Sequence, residues 1–258
     1  MIAALRALLQ VPYGLFAWTL FLILSLLTLL LVLVLPGITL RRAIAKHTSG
    51  LFLLLAGMPV KVIGAELLPE HPCVVVANHS SYLDGVILKA ALPSRFSFVI
   101  KKEMVRVPLA GALLRRIGSE FVDRFNRHSG GMDARRLIRM ATGGQSLAFF
   151  PEGTFTDQVG IARFHIGAFV IATRAGMPVV PVVIRGARRA LPATSIWPRS
   201  GRVEVEILTV LPLADLPDAS AEAARLRDLA RARIIQAIGE PDLDAPEEAA
   251  SINRAPPL

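Results

Sequence analysis

The 258-residue chain carries 29 Lys and Arg against 20 Asp and Glu, a formal net charge of +9, and 53% of its residues are apolar, enough to bury a sizeable core. A single cysteine, Cys73, excludes a disulfide framework and a cysteine-rich metal site. The arginines lack the interleaved aromatics of a single-strand nucleic-acid surface, so no nucleic acid is expected and membrane lipids are the simplest partner for the charge.

The apolar excess is concentrated in Val11 to Leu35, which has no charged residue and is long enough to cross a hydrocarbon layer of roughly 30 Å as a helix. A cleaved leader fits less well, because the stretch outruns an ordinary signal core and no small-x-small site follows it. Arg41, Arg42 and Lys46 come next, with no acidic residue before Glu66, so the positive-inside rule places the rest of the chain on the cytosolic side of a cell's inner membrane. Leu51 to Val60 is too short to span. With the first stretch it makes either a second element beside a spanning helix or half of a re-entrant pair. Residues 1–60 are therefore expected to be membrane-associated helices, 61–240 an α/β domain and 241–258 a disordered tail rich in Pro, Ala and acidic residues.

Within the domain, Cys73 to Ala77 reads as a buried strand that delivers Asn78 and His79 to its carboxyl end, where open α/β sheets bind ligands. A helix over Tyr82 to Leu92, a strand over Phe96 to Ile100, a helix over Val107 to Ile117 and a short strand through Phe121 to Asp123 follow. Next come a helix over Gly131 to Ala141, a strand over Leu147 to Phe150, a helix over Phe164 to Ala175 stopped by Gly176, and a strand over Val179 to Ile184. Arg202 to Val210 alternates apolar and acidic residues, the pattern of an edge or late-added strand with one wet face. A last helix starts at Ser220 with Leu226, Leu229, Ile234 and Ile238 on one stripe and ends at Gly239. Strands alternating with helices and finished by a paired strand predict a mixed β-sheet with flanking helices.

The chemistry lies in two short segments. Asn78 to Asp84 puts a histidine five residues before an aspartate, with His79 at a strand end and Asp84 in the first helical turn, where its carboxylate can accept the Nδ1 proton and leave Nε2 as a base. No G-x-S-x-G nucleophile elbow occurs, and Ser80 and Ser81 read better as helix-start residues, so the activated hydroxyl is expected to belong to the substrate. Phe150 to Thr154 ends another apolar run in an acidic turn.

His79 with Asp84, Gly118 to Arg124, Phe150 to Thr154 and Val180 to Ile184 occur in an order that resembles the four blocks of the glycerolipid acyltransferases, the family of 1-acylglycerol-3-phosphate acyltransferase. The resemblance implies transfer of a fatty acyl group from acyl-CoA or acyl carrier protein to the hydroxyl of a lyso-lipid acceptor, with no metal and no cofactor beyond that co-substrate. It implies that His79 is the general base and Asp84 its orienter, that Arg124 and Glu152, Gly153 and Thr154 bind the acceptor's glycerol phosphate, and that Gly118 and Pro181 belong to the same substrate-binding set. Amides near Gly153 are candidate oxyanion donors. The chain departs from the pattern at Phe155, where an arginine is usual, and at His165, where a lysine is usual. Arg163 and Arg185 are the substitutes at hand. These departures keep a second acceptor class open, another lysophospholipid or a lyso-ornithine lipid, acylated by the same pair. A lipid hydrolase or a non-enzymatic lipid-binding protein is disfavoured, the first for want of a nucleophile and the second because it gives no reason for an intact base and orienter.

Overall fold

A computed structural model of the chain describes residues 2–123, 127–214 and 218–245. Two helices, α1 (Ile2–Val34) and α2 (Ile38–Leu55), precede β1 (Val60–Ile63), β2 (Val74–Ala77), α3 (Asp84–Ala91), β3 (Ser97–Lys101), α4 (Ala110–Arg116) and β4 (Glu120–Val122). Then come α5 (Arg127–Thr142), β5 (Leu147–Phe149), α6 (Gly167–Arg174), β6 (Val179–Arg185), a single turn α7 (Ala187–Ala190), β7 (Val203–Ile207) and α8 (Ala219–Ile238).

The seven strands form one sheet in the order β1-β7-β6-β2-β5-β3-β4. β6, β2, β5, β3 and β4 are mutually parallel, while β7 lies antiparallel to β6 and carries β1 parallel to itself, so the sheet is mixed as expected. The central strands are runs of Val and Ile because both of their faces are covered. Val75, Val180 and Val182 pack with Phe52, Leu53, Ile87 and Leu88 on the side of α2 and α3. Val74, Val76, Val179 and Val183 pack with Leu137, Phe169, Leu226 and Ile234 on the side of α5, α6 and α8. Burying each such side chain is worth about 1.5–3 kcal/mol, so these two layers hold the frame that positions the site.

β7 has the one wet face that its alternation predicts, but it is not an edge strand. Its far side is taken by β1, with Val60 opposite Val203 and Ile63 opposite Glu206. β1 escapes sequence reading because it has four residues, begins inside an apolar patch and is interrupted by Lys61. The expected tail also begins late. Ile161 N–H donates to the Pro241 carbonyl at 2.9 Å, Leu243 N–H returns to Ile161 O at 3.0 Å, and Arg231 Nη1 meets Asp242 Oδ2 at 2.8 Å, which pins 241–245 to the domain. Residues 246–258 lie outside the described residues.

The N-terminal helices lie along the domain. Tyr13 Oη donates to Ala56 O at 2.6 Å and Trp18 Nε1 to Ile196 O at 2.7 Å from the first half and the middle of α1, and Arg116 Nη2 donates to Leu33 O at 2.7 Å near its carboxyl end. The opposite side of α1 exposes Leu15, Phe16, Leu22, Ile23, Leu26 and Leu30. Among the described residues, one helical stretch, Gln10–Val34, is long and apolar enough to cross a membrane.

Candidate active site

Because β2, β5 and β6 are parallel, their carboxyl ends bring three loops together: 78–83, 150–166 and 186–202. Asn78 fastens the first loop to β6, donating from Nδ2 to Ile184 O at 3.1 Å and accepting the Ile184 N–H on Oδ1 at 2.7 Å. His79 is thereby held at the mouth of the edge.

Asp84 is fully buried at the first position of α3. Its Oδ2 accepts the backbone N–H groups of Ser80 at 2.6 Å and Ser81 at 2.8 Å and lies 2.9 Å from His79 Nδ1. An ionised carboxylate only accepts, so Nδ1 carries the proton and Nε2 is left with a free lone pair. Asp84 Oδ1 is buried with no partner among the described residues. Ser81 is no nucleophile: its hydroxyl donates to Leu191 O at 2.7 Å and accepts the Leu83 N–H at 3.1 Å, closing the turn that leads into α3.

Glu152 turns inward and is 6% exposed. One oxygen accepts the His79 N–H at 2.7 Å and the other the Ala162 N–H at 2.9 Å, so the side chain expected to touch substrate instead braces the histidine loop against the 160s loop. Burial pushes its carboxyl above the usual range, against the pull of those two amides. Gly153 has φ 78°, the left-handed conformation that glycine adopts without strain, and its N–H donates to Phe150 O at 3.0 Å. Of the amides near Gly153 that are candidate oxyanion donors, its own is therefore engaged in the turn. Thr154 lines the pocket beside His79, together with Phe155, Gln158 and Arg188.

Aromatic rings surround the imidazole. Phe150 stacks on it with centroids 4.4 Å apart, Phe155 meets it edge-on at 4.5 Å, and exposed Tyr82 meets Phe155 at 4.8 Å. Phe155, which in the sequence marks only a missing arginine, is thus a wall of the site.

Other expected site residues stand elsewhere. Gly118 precedes β4 and so sits at the amino end of the sheet, where its carbonyl accepts from Arg42 Nη2 at 3.1 Å and from Ser97 Oγ. Its part is to let the chain approach α2, since a Cβ there would stand 2.8 Å from Ile38 Cδ1. Pro181 is buried within β6 opposite Val76, away from the mouth. Arg185 is held by Glu204 at 3.1 Å and Glu206 at 2.7 Å. Arg163 and His165 are exposed on the 160s loop, and Arg124 lies outside the described residues. Sequence reading missed Arg188, a pocket residue whose Nη1 donates to Gln158 O at 2.6 Å and whose Nη2 meets Glu240 at 3.0 Å. In the sequence it is one of three arginines, Arg185, Arg188 and Arg189, that follow the Val179–Ile184 run, with nothing to single it out. No group of three or more His, Cys, Asp or Glu among the described residues could hold a metal ion.

An imidazole oriented by a buried carboxylate, beside a pocket at the carboxyl edge of a mixed sheet, is an arrangement suited to a general base; residues 59–185 match the acyltransferase family, and the chain belongs to it. Over 219 residues it is 32% identical to the 1-acyl-sn-glycerol-3-phosphate acyltransferase of Chlamydomonas reinhardtii, a match covering 81% of this chain and 66% of that protein. It is 35% identical over 143 residues to the lyso-ornithine lipid O-acyltransferase of Pseudomonas aeruginosa, covering 54% and 53%. Its fold is that of the 1-acyl-sn-glycerophosphate acyltransferase PlsC from Thermotoga maritima, with a TM-score of 0.71 at 22% identity over 90% of this chain and 96% of that one. The chain spans between 38% and 66% of the length of the plant, algal and yeast relatives it matches.

Proposed function

We propose that the protein transfers a fatty acyl group from acyl-CoA or acyl carrier protein to the sn-2 hydroxyl of 1-acyl-glycerol-3-phosphate, giving phosphatidic acid. The observation that carries this reading is the 2.9 Å contact of His79 Nδ1 with a carboxylate oxygen that also receives two backbone amides. Nε2 removes the acceptor's hydroxyl proton as its oxygen attacks the thioester carbonyl; the tetrahedral adduct expels the thiolate, which takes the proton back from the imidazolium. A thioester is already activated, so alignment and proton removal are the main demands on the protein. Phe150 and Phe155 pack against the ring and help to hold its orientation.

The protein acts at the cytosolic face of a membrane, with α1 and α2 as its hold. The packing of α1 favours a re-entrant or in-plane helix over a spanning one. A spanning helix carries its far end roughly 30 Å from a cytosolic domain, whereas α1 bonds to this domain at its middle, through Trp18, as well as near its carboxyl end, through Leu33.

A second acceptor class, a lyso-ornithine lipid or another lysophospholipid, is favoured by Phe155, an apolar ring against His79 where the family usually presents a cation. Mass spectrometry of products made by the detergent-purified protein from acyl-CoA and a panel of lyso-lipids separates the two. Phosphatidate as the main product supports the leading reading, another acylated lipid moves the acceptor, and acylation of none refutes the proposal.

A further inference from the structure

Beside the His79 pocket lies an open cleft lined by Arg185, Arg188, Arg189, Arg199 and Arg202. Among the described residues two carboxylates line it. Glu204 is engaged with Arg185 and Glu240 with Arg188, whereas Arg189, Arg199 and Arg202 are exposed and have no acidic partner among the described residues. Three unpaired guanidinium groups in one cleft repel one another unless an anion joins them.

Their grouping is built by the backbone. Arg199 N–H donates to Ala190 O at 2.7 Å and Gly201 N–H to Gly57 O at 3.0 Å, which fasten the 199–202 segment to the end of α7 and to the turn after α2. Gly186, with φ 84°, allows the close approach: a Cβ there would stand 2.4 Å from Arg202 O. The Arg189 guanidinium lies over Gly201, its Nη2 3.4 Å from the position of a Cβ there. Arg188 lines both this cleft and the pocket that holds His79, so one extended ligand can occupy both.

We infer that this cleft binds the phosphates of the thioester donor, those of coenzyme A or of the phosphopantetheine arm of acyl carrier protein. The inference rests on the acyl-transfer reading and adds the donor's place to it. An acceptor phosphate is one carbon removed from the reacting hydroxyl carbon and must sit in the His79 pocket itself. The donor's phosphates lie at the far end of a long uncharged pantetheine arm, and so need a cationic site beside that pocket. Arginine forks match phosphate oxygens in pairs.

The test is the binding of coenzyme A, and separately of holo-acyl carrier protein, to the full detergent-purified chain, to an Arg189→Gln/Arg199→Gln/Arg202→Gln variant, to the corresponding triple Lys variant and to His79→Ala. Removing one arginine–phosphate hydrogen bond is expected to weaken binding about tenfold. The Gln variant should therefore bind one of the two donors at least a hundredfold more weakly and raise that donor's KM in step, at an unchanged acceptor KM. The Lys variant should recover part of the affinity, which separates charge from misfolding, and His79→Ala should bind as the parent does. The donor that responds identifies the source of the phosphates. Unchanged donor affinity and KM in the Gln variant would overturn the inference while leaving the acyl-transfer reading intact. So would a Gln variant that loses only its sedimentation with phosphatidylglycerol vesicles, which would make the cleft a lipid-headgroup site. Arginine-dependent coenzyme A binding in a protein that acylates no lyso-lipid would instead refute the catalytic reading and keep the site.

Discussion

Arg42 at the amino end of the sheet and Asp84 at its carboxyl end are both buried charged side chains, and they are satisfied differently. At the amino end Arg42, 6% exposed, donates to Ile117 O at 3.0 Å, Gly118 O at 3.1 Å, Arg95 O at 3.2 Å and Gln145 Oε1 at 3.1 Å. Every partner is a neutral oxygen of the protein, and the result is a closed joint that fastens α2 to the α4–β4 turn. At the carboxyl end Asp84 gathers three donors on one oxygen, leaves the other without a partner among the described residues and orients an imidazole that opens on a pocket. Buried polar groups are satisfied as a rule. A charge whose bonds all close on the protein marks architecture, and one whose network ends on a free nitrogen marks chemistry.

That contrast can be broken at either end. Asp84→Asn should lower turnover by about two to four orders of magnitude while the chain stays folded, because the carboxamide holds the wrong tautomer of His79; circular dichroism alongside initial rates checks it. A mutant that unfolds instead would make Asp84 architectural like Arg42. Arg42→Ala should do the converse, leaving carbonyl oxygens buried without donors and lowering stability by about 2–4 kcal/mol, read from denaturant unfolding, with kcat of the folded fraction nearly unchanged.

Lys89 sharpens the same point. It is 7% exposed, its ammonium lies 5.2 Å from the Phe98 centroid, and burial with the nearby Arg42 and Lys46 charges lowers it to about 8. A base whose folded value lies below its unfolded one, ordinarily about 10.4, binds more protons unfolded, so stability should rise as pH climbs from about 8 to about 10.4. Lys89→Met should abolish that part of the rise in a pH series of unfolding midpoints. The smallest effect is expected at Phe155. Phe155→Arg should shift acceptor preference toward phosphate-bearing lyso-lipids by about tenfold in kcat/KM, measured by competing acceptors in one reaction. No shift would make the ring a packing element alone.

Local patterns were the legible ones. The Val-rich runs of β2 and β6 could be read because a strand covered on both faces has no choice but to be apolar, and His79 with Asp84 could be read because five residues separate a strand end from a helix start. What spacing cannot show is which distant backbone a side chain will meet. Glu152 reaches the His79 amide across 73 positions, and Phe155 meets the imidazole through a loop that no periodicity describes. The alternation of β7 points to an edge because its cover, β1, is a four-residue strand at the foot of an apolar helix. Gly118 belongs to a real sequence block, yet that block starts at the amino end of β4, so its first residues serve the joint at Arg42 and not the site.

The central claim is that His79 is the base. The most direct measurement is the rate of acylated product formation by His79→Ala against the parent protein, at saturating acyl-CoA and acceptor and with matched thermal unfolding. A fall of about 10²–10⁴ with an unchanged midpoint is expected when a general base is removed. A folded variant that acylates at the parent's rate would contradict the account.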